Sequence, residues 1–182
     1  MKGKIVVITG ASGGIGSALA ETFSRQGAVT VLAARSLGAM NELAARLPGP
    51  ADVVELDVTS DASVAEAVRG IVQRHGRVDV WINNAGYGAF KAFADTGMDE
   101  FAGIMDVNFF GTVRCTRAVL PHMLERGSGH IVNIASMAGK VGTAKSAAYT
   151  ASKFAVRGFT QSLRMELRGT GVRVSAVNPG PV

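Results

Sequence analysis

Residues 4–16 read Lys-Ile-Val-Val-Ile-Thr-Gly-Ala-Ser-Gly-Gly-Ile-Gly. A β-branched run enters a glycine-rich turn, and behind the turn Ile15, Leu19 and Phe23 recur at the spacing of one helical face. Strand, glycine turn and helix start is the local order of a phosphate-binding βα unit. Glycine lets a pyrophosphate approach the backbone without meeting a Cβ, and the unpaired amides of a helix start point at the anion. The spacing of Gly10, Gly14 and Gly16 is neither G-x-G-x-x-G nor a Walker loop, which needs a following Lys-Ser/Thr. An ordinary tight turn fits the same letters, so the rest of the chain has to decide.

Apolar runs and helical patterns alternate along that rest. Strands are expected at 4–8, 29–33, 53–56, 78–82, 130–135 and 172–177. Helices are expected after the glycine turn, at 37–47, at 60–74 and at 147–168, where Val156, Phe159, Leu163 and Leu167 form a stripe. Thr96 with Asp99 reads as a capping box opening a long helical stretch, which Pro121 should end or kink. This alternation predicts an α/β fold: a doubly wound, Rossmann-like parallel sheet of six strands in the order 3-2-1-4-5-6, in a single domain spanning 1–182. Ligands of such sheets bind beyond the carboxyl ends of the strands. That rule filters every candidate residue.

Composition removes several function classes. The net charge of +5 comes from scattered basic residues, with no run of five or more like charges, which argues against a nucleic-acid partner and fits a pocket for an anionic cofactor. Cys115 is the only cysteine, so neither a disulfide framework nor a Cys/His zinc pattern is expected, and the three histidines have no metal-ligand spacing. No apolar run reaches membrane-spanning length and the chain opens on a strand, so the expected location is the cytoplasm, with no membrane partner.

The strand ends carry the chemistry. After the second strand stands Arg35, where an NAD-selective fold would place an acid for the ribose 2′-OH. An arginine there suits a 2′-phosphate, with Ser12 adding a hydroxyl; a solvated surface arginine is the plain alternative. Asp57 and Val58 follow the third strand, where the carboxylate either meets an adenine amino group or simply approaches the next helix. Asn83, Asn84, Ala85 and Gly86 follow the fourth, two amides able to brace a strand end.

Ser136 follows the fifth strand, placed to hydrogen-bond a carbonyl oxygen. Tyr149 and Lys153 come next at i, i+4, hence on one helical face. An unperturbed phenol titrates near ~10, and an ammonium ~4 Å away at an effective dielectric of ~20 favours its ionised form by about 4 kcal/mol. Such a pair makes a usable proton donor or acceptor. The chain has two tyrosines, and Tyr87 also has a lysine, Lys91, four residues on. Tyr87 lies between glycines, a poor helix, and is assigned to a pocket-lining loop. Phe90, Phe93, Met137 and Val141 are candidates for an apolar lining or for packing.

Taken together, Thr9-Gly10-x-x-x-Gly14-x-Gly16, Asn83-Asn84-Ala85-Gly86, Ser136, Tyr149-x-x-x-Lys153 and Pro179-Gly180 resemble the short-chain dehydrogenases/reductases, in order and over essentially the whole chain. The resemblance implies hydride transfer between NADP(H) and a carbonyl or secondary alcohol, with NAD the less expected cofactor. It implies Tyr149 as general acid/base, Lys153 binding the nicotinamide ribose, Ser136 positioning the substrate oxygen, and Asn108 supporting a water linked to the lysine. The cofactor set it implies is Gly10, Ser12, Gly14, Ile15 and Gly16 in the glycine turn, with Arg35, Asp57, Val58, Asn84, Ala85, Gly86, Tyr149, Lys153, Pro179 and Gly180. It also implies a homodimer or homotetramer, formed through the helices that hold Asn108 and Tyr149.

Two other functions share this framework. A non-catalytic NADP sensor would tend to lose the tyrosine or lysine, and both are present. A nicotinamide-retaining epimerase would usually carry a different glycine motif and a larger C-terminal part. Family members continue past the Pro-Gly turn with a Thr-containing cofactor contact, a substrate lid and a seventh strand. This chain stops at Val182, so the sixth strand is expected to be an open edge and the working protein to be longer.

Overall fold

A computed structural model describes residues 1–180. Strands β1 (Ile5–Thr9), β2 (Val29–Ala34), β3 (Ala51–Glu55), β4 (Val80–Asn83), β5 (Gly129–Ile134) and β6 (Val172–Val177) form one sheet in the order β3-β2-β1-β4-β5-β6. All five neighbouring pairs are parallel. Helices α1 (Gly14–Arg25), α2 (Leu37–Arg46), α3 (Asp61–His75), α4 (Met98–Met105), α5 (Gly111–Glu125) and α6 (Ala147–Glu166) cover it.

Alternate residues of β1 enter different cores. Ile5 and Val7 pack with Val68 and Ile71 of α3, Val119 and Met123 of α5, and Leu163 of α6. Val6 and Ile8 pack with Ala20 of α1 and with Met40 and Leu43 of α2. A strand apolar on both faces is what a sheet sandwiched between helices requires. All five residues of β1 are buried, which places the glycine turn behind it at the centre of the molecule's carboxyl rim.

Two local expectations are corrected. Thr96 does not cap α4: its hydroxyl donates back to Ala92 O at 3.0 Å, closing a 3₁₀ turn at Phe93–Asp95, and Gly97 becomes the N-cap without a side-chain bond. Of the two outcomes expected at Pro121, an end or a kink, the end does not occur, since α5 runs on to Glu125. Val119 and Met123, both fully buried, anchor the turns on either side of the proline, and their burial outweighs the missing amide. Between α4 and α5 the helix widens into a π-helical turn at Asp106–Phe110, with Asn108 inside it. Such turns occur frequently at functional sites.

Candidate active site

The glycine turn is shaped by close backbone approach. A Cβ on Gly10, which has φ +64°, would lie 2.8 Å from Ala85 Cα. One on Gly16 would strike Gly10 O and lie 2.8 Å from Asn84 Nδ2. Thr9 Oγ1 accepts from the amides of Asn84 and Ala85, both at 3.0 Å, and Asn84 Nδ2 donates to Thr9 O at 3.0 Å and Gly10 O at 3.1 Å. The Asn-Asn turn thus braces the glycine turn. Its side-chain amide does this through a bond that sequence spacing does not reveal.

Around Gly13 and Gly14 the space where a Cβ would stand is open. Helix α1 starts there with no side-chain cap and no acid in its first turn. These features fit a dinucleotide pyrophosphate: open space, no competing anion, and Gly14 and Ile15 amides without a partner among the described residues, while the Gly16 amide donates to Gly13 O at 3.1 Å. Ser12 is exposed beside them, while the Ile15 side chain packs against the core shared with α1 and α2. Arg35 is exposed just past β2.

Asp57, past β3, has its Oδ1 held by Thr59, from the amide at 2.9 Å and the hydroxyl at 2.7 Å. Those two bonds, opposed by burial and aided by Arg35 and Arg114, keep its carboxyl below the usual range. Val58 is buried against Gly111, whose Cβ would meet its Cγ2 at 2.8 Å.

Tyr149 and Lys153 lie one turn apart on α6, with Lys153 Nζ 5.6 Å from the centroid of the Tyr149 ring. Lys153 is buried and donates to Ile134 O at 2.9 Å, and burial pushes its pKa down to about 8. The turn that Ser136 starts packs on the same helix: a Cβ on Gly139 would lie 2.7 Å from Lys153 O. Ser136 Oγ accepts from Ala138 N–H at 3.1 Å, which leaves its own hydrogen free to donate. Pro179 O accepts from the Met137 amide at 2.9 Å, so the segment after β6 joins the same rim. Asn178 Oδ1, one residue earlier, is buried without a partner among the described residues. Gly180 is exposed.

Residues 84–86 connect the two halves of the rim. Ala85 touches Gly10, and a Cβ on Gly86 would lie 2.9 Å from Asn108 Oδ1 and 3.5 Å from Lys153 Nζ. Asn108, buried, bonds both backbone groups of Tyr87 and donates to Ser152 Oγ at 3.0 Å, and Ser152 in turn donates to Tyr149 O at 2.7 Å. Ser152 is a buried link between Asn108 and the Tyr149 backbone that sequence reasoning missed; a serine inside a helix carries no pattern of its own. Deeper still, Asn83 joins Trp81, Thr116 and Asn133, and Asn133 joins Thr160, tying β4 and β5 to α5 and α6.

The second tyrosine–lysine pair is separated. Lys91 Nζ binds Glu100 at 2.8 Å, and a Cβ on Gly103 of α4 would lie 3.0 Å from the Tyr87 hydroxyl. The Tyr87 side chain therefore reaches α4 rather than the Tyr149 ring. Burial pushes the Cys115 thiol up to about 12, so it carries no thiolate nucleophile at neutral pH. Among the described residues, no group of three or more His, Cys, Asp or Glu side chains is placed to hold a metal, and no helix is long and apolar enough to cross a membrane.

The model of the short chain dehydrogenase family matches residues 4–182. An uncharacterized oxidoreductase of Staphylococcus epidermidis is 40% identical over 182 residues, which are 100% of this chain and 79% of that protein. A metagenomic short-chain oxidoreductase solved in complex with NADP superposes with a TM-score of 0.93 at 38% identity, covering 99% of this chain and 83% of that one. Actinorhodin polyketide ketoreductase with NADPH superposes with a TM-score of 0.96 at 37% identity, covering 100% and 73%.

Proposed function

The chain belongs to the short-chain dehydrogenase family, and from that premise we propose an NADP(H)-dependent oxidoreductase that interconverts a carbonyl and a secondary alcohol. The observation that carries the reading is the joint placement of the Tyr149 phenol, the buried Lys153 ammonium and the Ser136 turn on one rim, joined to the glycine turn through residues 84–86. When bound, the nicotinamide supplies or accepts the hydride.

The chain's own residues bind, orient and move a proton. The first-turn amides of α1 and the Ser12 hydroxyl face the pyrophosphate end, and Arg35 meets a 2′-phosphate with a planar fork of donors. Lys153 spends one N–H on Ile134 O and keeps the others for ribose hydroxyls. The Tyr149 hydroxyl gives its proton to the carbonyl oxygen in reduction and takes it back in oxidation. The free hydrogen of Ser136 holds that same oxygen in place. Asn108 fixes the loop and helix that flank the phenol.

Phe110 and Phe154, both substantially exposed beside α5 and on α6, support self-association through those helices. The test of the whole reading is Tyr149→Phe. It should cut ketone-dependent NADPH oxidation by roughly 10²–10⁴-fold while NADPH binding, followed by fluorescence titration, stays within about twofold. Turnover retained in the variant would remove the proton role from Tyr149.

A further inference from the structure

Phe90 is 77% exposed, yet its ring stands 6.4 Å from the Tyr149 ring, tilted by 46°. Its backbone is anchored on both sides. Asn108 holds Tyr87, and the Lys91 amide donates to Lys145 O at 2.7 Å, which ties the loop after β4 to the loop before α6. Lys145 takes φ +61° at that junction, a left-handed conformation costly for a side-chain-bearing residue. Gly88 lets the same loop lie flat on Tyr149, because a Cβ there would meet the ring carbon Cδ2 at 2.9 Å. Asn108, Lys145 and Gly88 thus press the loop onto the Tyr149 ring, and the exposed Phe90 ring is held beside it. Phe93 is also exposed, but among the described residues no aromatic ring pairs with it. Met137, directly after Ser136, leaves a thioether half-exposed at the same rim.

A fixed, solvent-facing aromatic beside the Tyr149 ring offers ring face and apolar area to whatever that residue acts on. We infer that Phe90 is a specificity-determining residue, the substrate-side wall that selects carbonyl compounds carrying an aryl group next to the reacting carbon. Met137 adds a polarizable surface that aromatic rings also favour. This rests on the reading that Tyr149 faces the substrate.

The test compares acetophenone with 2-butanone in the wild type, Phe90→Ala and Phe90→Trp, with NADPH. Phe90 is exposed, so neither substitution threatens the fold. The ratio of kcat/KM for acetophenone to that for 2-butanone should fall about tenfold in Phe90→Ala, mainly through KM, and recover in Phe90→Trp. A second arm measures binding of acetophenone and 2-butanone to the protein–NADP⁺ complex, a pairing that cannot turn over, by calorimetry; the aryl preference seen there should vanish in Phe90→Ala. A ratio unchanged within about twofold, or equal losses for both ketones, overturns the wall. Aryl-selective, Phe90-dependent binding without any turnover keeps the wall and sinks the redox reading instead. Absence of aryl-selective binding in the wild type overturns the wall whatever the turnover.

Discussion

Asn108 grips Tyr87 by both of its backbone polar groups: Oδ1 accepts from the Tyr87 amide and Nδ2 donates to the Tyr87 carbonyl, each at 2.9 Å. The second Nδ2 hydrogen goes to Ser152. One side chain in a π-helical turn therefore locks the loop after β4 to the helix that carries Tyr149 and Lys153. The widened turn suits this role because it sets Asn108 off the regular helical face.

Asn108→Ala should lower stability by roughly 1–3 kcal/mol, since it leaves buried partners unsatisfied. In a chain of this size that is a Tm loss of about 2–4 °C per kcal/mol. Asn108 and Ser152 share a bond, so Asn108→Ala and Ser152→Ala should couple by roughly 0.5–3 kcal/mol in a double-mutant cycle read by urea unfolding. Additivity of the two losses would show that the link between loop and helix carries no energy.

Lys153 gives a pH signature with a definite sign. Burial lowers its pKa to about 8, below the roughly 10.4 of an unfolded lysine. Between those values the unfolded chain binds more protons, so this group's contribution to stability rises with pH. Below about 8 the full cost of burying the ammonium is present. Relative to Lys153→Met, the wild type should gain up to about 3 kcal/mol as pH rises across that window. Urea unfolding of both proteins at four pH values tests this, and a constant difference would refute it.

Asp79 has the opposite sign and sits at the other end of the sheet. It accepts from the Ile5 amide and from Arg77 Nε, both at 2.9 Å, and pairs with Lys4 and Arg126. Burial works to raise its carboxyl, but the Ile5 amide, Arg77 and Lys4 outweigh it and hold the pKa below the usual range. A lowered carboxylate contributes stability above its unfolded pKa and loses it as pH falls toward the folded value. Asp79→Asn should therefore cost roughly 1–3 kcal/mol at pH 7, with the gap to wild type closing below about pH 4. A gap that persists into acid would mean that shape, not charge, holds that corner.

Much of this fold was legible because buried parallel strands write themselves as apolar runs, and β1 alternates cleanly between two cores. The glycine turn was legible too, since Gly10 and Gly16 leave no room for a Cβ. What stayed hidden was long-range or local competition. Ser152 bonds a residue 44 positions away, a pairing no helical periodicity encodes. Thr96 turned its hydroxyl backward because a 3₁₀ turn had already presented the Ala92 carbonyl. Pro121 did not end α5, where Val119 and Met123 are buried on either side of it, a packing no propensity rule weighs. The two tyrosine–lysine pairs, identical in spacing, were separated by Glu100, which takes Lys91 in the folded chain.

The proposed preference for NADP rests on Arg35. It stands exposed one residue past β2, where an acid would serve a ribose hydroxyl, and its charge already lowers the pKa of Asp57 across the gap. A charge-assisted bond to a 2′-phosphate is worth about 1.5–3 kcal/mol, or roughly 10–150-fold in affinity. Arg35→Ala should weaken NADPH by that factor while NADH, which lacks the phosphate, shifts by about twofold at most. Arg35→Asp should go further and bring the two cofactors level, because a carboxylate repels the phosphate and accepts from a free 2′-OH. Fluorescence titration of both cofactors at fixed ionic strength measures this directly. Equal weakening of NADPH and NADH would take the 2′-phosphate away from Arg35 and leave it a solvated surface charge.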